Sequence, residues 1–236
     1  MPLAQKDRLY VALDTADLDR AVSLARALQG VAGGVKLGKE FFTAHGPRGV
    51  ERVAETGLPV FLDLKFHDIP NTVAGAVRAA LKLKLRMLNV HAGGGSAMMA
   101  AAARAAAEAG EGRPLMLAVT VLTSLDDADL ASVGVPGGAA QQVLHLARLA
   151  RDSGLDGVVC SPLEAAALRT ALGDRFALVV PGVRPTWAAA DDQKRITTPA
   201  EAIREGAHYL VVGRPITGAD DPAAAARRVV EEIAAA

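Results

Sequence analysis

The segment VFLDLKFHDIPNT, Val60–Thr72, begins like a buried β-strand but carries three charged side chains. Apolar residues fill most of its first seven positions, yet Asp63 and Lys65 interrupt them, and Asp68 follows shortly afterwards. A charge in a core strand costs free energy unless it is paired with another charge or has a function. The segment therefore predicts a strand whose end forms part of a site.

Short apolar runs alternate with amphipathic, alanine-rich segments along all 236 residues. The apolar runs are predicted strands, and helical spacing predicts a helix after each of them. After the second strand the helix is expected to begin only at Pro47, because proline favours the first position of a helix. The predicted strands are Leu9–Asp14, Gly34–Gly38, Val60–Phe66, Met87–His91, Leu115–Leu122, Gly157–Ser161, Ala177–Val183 and Tyr209–Gly213.

This repeat indicates an α/β protein with a (β/α)8 TIM-barrel fold, and a doubly wound open sheet is the alternative. We prefer the barrel because the repeat continues without a break in composition and without a linker. The same continuity predicts a single domain over residues 1–236.

Composition and charge argue against several classes of function. The formal net charge is +0 and only 3% of residues are aromatic, so the chain offers neither a basic field nor stacking platforms for nucleic acid. The single cysteine, Cys160, has apolar neighbours and is predicted to be a buried strand thiol. The chain begins without a signal-peptide pattern and has no apolar run that would span a bilayer. We therefore expect a cytoplasmic protein that binds neither nucleic acid nor membranes.

Polar side chains recur at the C-terminal ends of the predicted strands, where TIM barrels hold their active sites. Side chains alternate between the two faces of a strand, so Asp63 and Lys65 share the face opposite Leu64. The apolar face should pack against helices, which turns the two charges into the barrel mouth. The polar residues at strand ends are Asp14, Lys36, Asp63, Lys65, His91, Thr123, Ser124, Arg184, Gly213 and Arg214.

The charges around strand three alternate in sign. Lys36 on the neighbouring strand, Asp63, Lys65 and Asp68 can all stay ionised, because each has an opposite charge beside it. Such a cluster is costly to build for stability alone and indicates a functional site. A solvated salt-bridge cluster at a strand end is the alternative.

Motifs along nearly the whole chain resemble those of the bacterial orotidine 5′-phosphate decarboxylase family, and they occur in the family's order. The ten-residue motif at Asp63–Thr72 is the most specific of them. The one departure lies before strand four, at ALKLKLRMLNV, where related chains often have a glycine. The matching motifs are ALD (12–14), VKLGKE (35–40), DLKFHDIPNT (63–72), NVHA (89–92), VTVLTS (119–124), DGVVCS (156–161), PGVRP (181–185), DDQKRI (191–196) and VVGRPIT (211–217).

The resemblance implies a reaction and an assembly. Orotidine 5′-monophosphate would lose carbon dioxide to give uridine 5′-monophosphate, the last step of de novo pyrimidine synthesis. The reaction would need no metal, no organic cofactor and no covalent intermediate. The resemblance also implies a homodimer in which each active site is completed by a loop of the partner chain.

The resemblance assigns catalysis to Lys36, Asp63, Lys65 and Asp68. Lys65 would stabilise the carbanion at C6 and protonate it, while Asp63 would either repel the substrate carboxylate or position the lysines. Asp68 would be supplied by the partner subunit. Substrate binding would involve Lys36 and Asp63 again, Asp14 at the ribose, the partner's Thr72 near the ribose, Thr123 with Ser124 at the pyrimidine amide edge, Gly213 and Arg214 at the phosphate, and Arg184 and Gln193 in the loop after strand seven.

Two other functions remain as alternatives. A related decarboxylase or aldolase acting on a sugar phosphate shares the Asp-x-Lys-x-x-Asp strand but uses a Mg²⁺-assisted enediolate. Thr123, Gln193 and the full motif at Asp63–Thr72 favour the nucleotide. The other alternative is a non-catalytic nucleotide-binding barrel, but a pure binder has no use for a carboxylate that repels an anionic ligand.

Overall fold

The computed structural model describes residues 3–188 and 197–236. Their strands are all parallel and close into a barrel in chain order, with β8 pairing back onto β1. This confirms the predicted TIM barrel, and the open doubly wound sheet is wrong. The strands are β1 (Leu9–Ala12), β2 (Gly34–Leu37), β3 (Val60–Phe66), β4 (Met87–His91), β5 (Leu115–Val119), β6 (Gly157–Val159), β7 (Ala177–Pro181) and β8 (Tyr209–Val212).

The helices lie between successive strands, and the last two follow β8. Most predicted strands extend one to three residues further than the observed ones, so Asp14 and Gly213 lie just past the ends of β1 and β8 at the barrel mouth. The helices are α1 (Leu18–Ala27), α2 (Lys39–Ala54), α3 (Pro70–Leu81), α4 (Gly95–Ala107), α5 (Asp127–Ser132), α6 (Gly138–Asp152), α7 (Ala165–Leu172), α8 (Pro199–Arg204), α9 (Arg214–Thr217) and α10 (Pro222–Ala234).

Local signals in the sequence explain where several helices begin. The Asp17 side chain accepts a hydrogen bond from the Arg20 backbone N–H at 3.0 Å and caps α1. Helix α8 begins at a proline and has a capping box, in which Thr198 and Glu201 each satisfy the other's backbone N–H. These caps satisfy N–H groups that have no partner within the helix.

Helix α2 differs from the prediction. Helical structure begins at Lys39, eight residues before Pro47, and a break at Gly46 separates two helical stretches. The Gly46 backbone has a φ of 58°, which glycine adopts without a steric penalty. The proline starts the second stretch as predicted, but the glycine before it allows a first helical stretch that proline preference did not reveal.

Apolar side chains form two layers of core. Leu62 belongs to the layer between the barrel and its helices, and Leu64 and Phe66 pack against that layer. Phe61 belongs to the second layer, inside the barrel. The alternation predicted for β3 is therefore confirmed, and the face that carries Phe61 also carries Asp63. The interior layer consists of Tyr10, Ala12, Phe61, Met87, Leu117, Ala177, Val179, Tyr209 and Val211.

The turn before β4 explains the departure from the motif pattern. Lys84 has a φ of 51°, the left-handed conformation that glycine adopts most readily. The chain keeps the conformation of a glycine turn there with a lysine side chain that is exposed to solvent.

Cys160 is 1% exposed, and burial raises the pKa of its thiol, as expected of a packed side chain rather than a nucleophile. No helix in residues 3–188 or 197–236 has the length and apolar character needed to cross a membrane.

Candidate active site

Three charged side chains meet at the C-terminal ends of β2 and β3. The Lys65 ammonium lies 2.6 Å from Asp63 Oδ1, and the Lys36 ammonium lies 3.4 Å from Asp63 Oδ2. The side chains of Lys36 and Asp63 are only 12% and 13% exposed, and that of Lys65 is 25% exposed. One carboxylate thus lies between two ammonium groups in a largely buried setting, as the alternating charges predicted.

Asp14 extends this cluster from the end of β1. Its Oδ1 lies 3.1 Å from the Lys36 ammonium, although its side chain is 62% exposed. Four side chains of alternating charge therefore lie in a row, in the spatial order Asp14, Lys36, Asp63 and Lys65. We call these four residues the charge cluster. Asp14 supplies its second carboxylate, a contact that sequence reasoning did not identify.

The charge cluster keeps Asp63 ionised. Burial by itself would raise the pKa of this carboxyl group, because a low-dielectric environment penalises the charged form. The positive charges of Lys36 and Lys65, with hydrogen bonds from Lys65 and Asn89, outweigh that effect and hold the pKa below its usual value. The site therefore presents a fixed negative charge between two positive ones at neutral pH.

Asn89 on β4 contacts this pair, and sequence reasoning did not identify it. It is fully buried; its Nδ2 donates to Asp63 Oδ1 at 2.7 Å, and its Oδ1 accepts the Lys65 backbone N–H at 2.8 Å. The only available signal was a polar residue in the middle of the apolar run Met87–His91. A buried amide requires hydrogen-bond partners, but the sequence did not indicate which groups they are.

A cavity of about 190 Å³ adjoins the charge cluster. It is open at the barrel mouth, between the ends of β7, β8, β1 and β2. Arg184 is 5% exposed and its backbone N–H donates to the Thr197 carbonyl at 2.9 Å. The cavity therefore combines the ion pair of Asp14 and Lys36 with two guanidinium groups. Its lining consists of Ala12, Asp14, Lys36, Pro181, Gly182, Val183, Arg184, Val211, Gly213, Arg214 and Pro215.

Gly38 keeps space beside the cluster and is another residue that sequence reasoning missed. A Cβ atom there would lie 3.3 Å from the Lys36 ammonium and 3.4 Å from Asp14 Oδ1. Contacts at these distances are tight, so a side chain at this position would press on the ion pair. The glycine follows β2 directly and starts α2 as its N-cap.

Three predicted site residues in the described part of the chain are not brought to the cluster. Asp68 is exposed, its Oδ1 accepts the Ile69 N–H at 2.6 Å, and it forms no ion pair with any residue in 3–188 or 197–236. Thr72 on α3 and Thr123 after β5 are exposed and lie outside the lining of the cavity. Gln193 lies outside the described residues.

His91 at the end of β4 has a structural explanation. Its Nδ1 accepts a hydrogen bond from the Gly93 N–H at 3.1 Å, and its ring stacks on His67 with centroids 5.3 Å apart. Burial, together with the nearby charges of His67 and Lys65, lowers its pKa. It is thus a hydrogen-bonded histidine of the barrel.

A wider depression of about 540 Å³ lies at the opposite, N-terminal end of the strands. Arg86, Arg151 and Arg175 at its edge are exposed to solvent. Catalytic groups in TIM barrels come from the C-terminal ends of the strands, so the smaller cavity is the candidate site. Within residues 3–188 and 197–236, no three His, Cys, Asp or Glu side chains are grouped so as to hold a metal ion.

Comparison with known proteins identifies relatives over nearly the whole length. The family model described as Orotidine 5′-phosphate decarboxylase / HUMPS family matches residues 7–229. A protein of Rhodospirillum rubrum named orotidine 5′-phosphate decarboxylase is 58% identical over 240 residues, covering 99% of this chain and 97% of the relative. One of the same name from Moorella thermoacetica is 55% identical over 233 residues, covering 97% and 92%.

Solved structures agree with these relatives. The crystal structure of orotidine 5′-phosphate decarboxylase from Lactobacillus acidophilus superimposes with a TM-score of 0.86 at 39% identity, covering 95% of this chain and 98% of that chain. The corresponding structure from Pyrococcus horikoshii has a TM-score of 0.78 at 22% identity, with coverages of 96% and 99%, and supports the fold alone.

Proposed function

Because the chain belongs to the orotidine 5′-phosphate decarboxylase / HUMPS family, we propose that its charge cluster and the adjoining cavity form a decarboxylase active site. The activity is conversion of orotidine 5′-monophosphate to uridine 5′-monophosphate and carbon dioxide, a carboxy-lyase reaction of pyrimidine biosynthesis. The sugar-phosphate alternative is not favoured by relatives of this identity. We further propose which residues catalyse the reaction and which bind the substrate.

Lys65 is proposed to stabilise and then protonate the reacting carbon. Loss of carbon dioxide leaves an electron pair on C6, an sp² carbon with no evident electron sink in the ring. A positive charge placed at that carbon lowers the barrier, and a proton from the same group completes the product. The ammonium of Lys65 is supported in this role because it is held at the barrel mouth by a 2.6 Å contact with Asp63.

Asp63 and Lys36 are proposed to hold this ammonium in place. The Asp63 carboxylate engages Lys65 with one oxygen and Lys36 with the other, which supports positioning of both lysines. The same carboxylate would lie close to the carboxylate of the substrate, so departure of carbon dioxide would also relieve repulsion. Asp14, at 3.1 Å from Lys36, would accept hydrogen bonds from the ribose hydroxyls.

The cavity is proposed to bind the phosphate and ribose of the nucleotide. Arg214 and the Gly213 backbone N–H follow β8, the position at which TIM barrels frequently bind a phosphate. Arg184 lines the same cavity at the end of β7 and would add a second guanidinium group. Gln193 and Thr123 are proposed to contact the base, in line with their positions in the family motifs.

A homodimer with shared sites is proposed from the region around Asp68. Neither Asp68 nor Thr72 reaches the charge cluster of its own chain, although both belong to the family motif. Ile69, which lies between them, is 67% exposed, and a large apolar side chain in this position supports burial against another subunit. Asp68 and Thr72 would then complete the site of the partner.

A cytoplasmic location is proposed as well. The support is the lone, buried Cys160, since a chain without an internal disulfide needs no oxidising compartment.

The observation that carries the proposal is the placement of one buried carboxylate between two lysines at the barrel mouth. The test is to add purified protein to orotidine 5′-monophosphate and follow the loss of its absorbance. Steady loss with formation of uridine 5′-monophosphate is the expected result. Absence of turnover by folded protein would contradict it.

A further inference from the structure

The pairing of β3 with β4 is interrupted beside the charge cluster. Leu62 pairs with Leu88, but the next paired residue of β3 is Phe66, which faces Val90. Four steps along β3 thus match two steps along β4, so β3 bulges at the segment that carries Asp63 and Lys65. Lys65 itself has a φ of 53°, a conformation that costs a residue with a side chain free energy.

Asn89 fills the gap in hydrogen bonding that the bulge leaves. It lies on β4 between the two residues that pair regularly with β3. Its Oδ1 accepts the backbone N–H of Lys65 at 2.8 Å, a group that the bulge removes from the strand ladder. The bond therefore holds the one backbone conformation in which the Lys65 side chain turns back towards Asp63.

The second hydrogen bond of Asn89 holds the carboxylate of Asp63. Nδ2 donates to Asp63 Oδ1 at 2.7 Å, and the same oxygen receives the Lys65 ammonium at 2.6 Å. The hydrogen-bond pattern settles the orientation of the amide, because the reversed amide would point its oxygen at a carboxylate and its NH₂ group at an N–H donor. One buried side chain thus contacts both members of the proposed catalytic pair.

We propose that Asn89 is a positioning residue for the decarboxylation, which sets the Lys65 ammonium and the Asp63 carboxylate in register with the reacting carbon. This inference rests on the proposed roles of Asp63 and Lys65. Both polar groups of the Asn89 amide form hydrogen bonds with Lys65 or Asp63. The amide therefore serves this pair rather than the general stability of the barrel. A displacement of about 1 Å at a catalytic group lowers rates by about 100-fold.

Two variants and a control test the inference. Asn89→Ala removes both hydrogen bonds, whereas Asn89→Asp keeps the shape and the acceptor for the Lys65 N–H but loses the donor to Asp63. The assay is run at pH 9, because the new carboxyl group would face the Asp63 carboxylate, and that like charge disfavours its ionisation at lower pH. The control is Thr56→Val, which removes a buried 2.7 Å hydrogen bond to the Val53 carbonyl next to α2, away from the site.

The readouts are kcat, the dissociation constant of uridine 5′-monophosphate and the melting temperature. Both Asn89 variants should lose at least about 100-fold in kcat, with product affinity within about threefold, because the product lacks the carboxylate that faces Asp63. Thr56→Val should lower the melting temperature and keep kcat within about twofold of wild type.

Several outcomes would overturn the inference. One is a folded Asn89→Asp enzyme with kcat within about threefold of wild type, and another is failure of both Asn89 variants to fold, since the isosteric aspartate is expected to fold. If Asn89→Ala alone does not fold, Asn89→Asp decides. An inactive wild type would instead refute the proposed function, as would an active Lys65→Ala, so the two failures can be distinguished.

Discussion

The Lys65 ammonium lies 2.6 Å from the carboxylate of Asp63, a residue two positions earlier on the same strand. Residues two apart on a regular strand share a face but stand about 6.6 Å apart along it. The contact forms because the Lys65 backbone leaves the strand conformation and Asn89 binds it there. The contact between the proposed proton donor and its counter-charge therefore depends on the local backbone conformation as well as on the spacing of the two residues in the sequence.

Arg214→Ala should chiefly raise KM. Arg214 lines the cavity after β8, and neither Lys65 nor Asp63 belongs to that lining, so loss of Arg214 should weaken phosphate binding with a smaller effect on kcat. A charge-assisted hydrogen bond contributes about 2–3 kcal/mol, which corresponds to a rise of about 30- to 150-fold. Steady-state kinetics measure it, with the exposed Arg227→Ala on α10 as the control. An unchanged KM would remove Arg214 from the phosphate site.

Removal of divalent metals should leave turnover intact. Asp63 Oδ1 is engaged by Lys65 and Asn89, and Oδ2 faces the Lys36 ammonium at 3.4 Å, so the carboxylate is already neutralised by cations of the protein. Dialysis against EDTA followed by assay without added metal should give the wild-type rate. A loss that Mg²⁺ restores would return the chain to the sugar-phosphate branch.

Acid should destabilise the wild type more than Asp63→Asn. The folded-state pKa of Asp63 lies below its unfolded value, so its ionisation contributes stability above about pH 3.9 that is lost as pH falls through the folded pKa. The measurement is the free energy of unfolding in urea between pH 6 and pH 3. The wild-type value should fall more steeply over the acid end of that range. Parallel curves would mean that Asp63 is not ionised by its lysine neighbours.

Subunit mixing should reveal whether Asp68 serves the partner's site. Lys65→Ala and Asp68→Ala should each be nearly inactive alone. After they are unfolded together in equal amounts and refolded, half of the dimers are mixed and each has one intact site, so about a quarter of wild-type activity should return.

A second mixture controls the first. Lys65→Ala mixed with Asp63→Ala should recover nothing, because both residues belong to the same subunit's site and every site in the mixed dimer lacks one of them. Demonstrated exchange of subunits without recovery in the Lys65→Ala and Asp68→Ala mixture would refute the shared site.

The barrel was predictable because its signals are local and repeated. Apolar runs, helix caps and prolines recur along the chain, and alternation along β3 was enough to turn Asp63 towards the mouth with Phe61. Helix α2 was only partly predicted. A glycine can adopt many backbone conformations, so Gly46 alone did not indicate that a helical stretch precedes the break.

The meeting of Lys36, Asp63 and Lys65 was predictable from the sequence, but the other connections within the cluster were not. The Asp14–Lys36 contact and both bonds of Asn89 join different strands, and which atoms meet depends on the register of the closed barrel. The bulge that moves Lys65 arises because four residue steps along β3 pair with only two residue steps along β4. No pattern within either strand reveals such a mismatch.

The most direct test of the account is to measure kcat and product affinity in Lys65→Ala. The matched control is Lys84→Ala, since Lys84 is, within residues 3–188 and 197–236, the other lysine with a left-handed backbone and lies on an exposed turn. Loss of the proton donor and its charge should lower kcat by at least about 1,000-fold, while the dissociation constant of uridine 5′-monophosphate stays within about tenfold and Lys84→Ala retains full activity. Wild-type kcat in folded Lys65→Ala would contradict the central claim that this ammonium carries the chemistry.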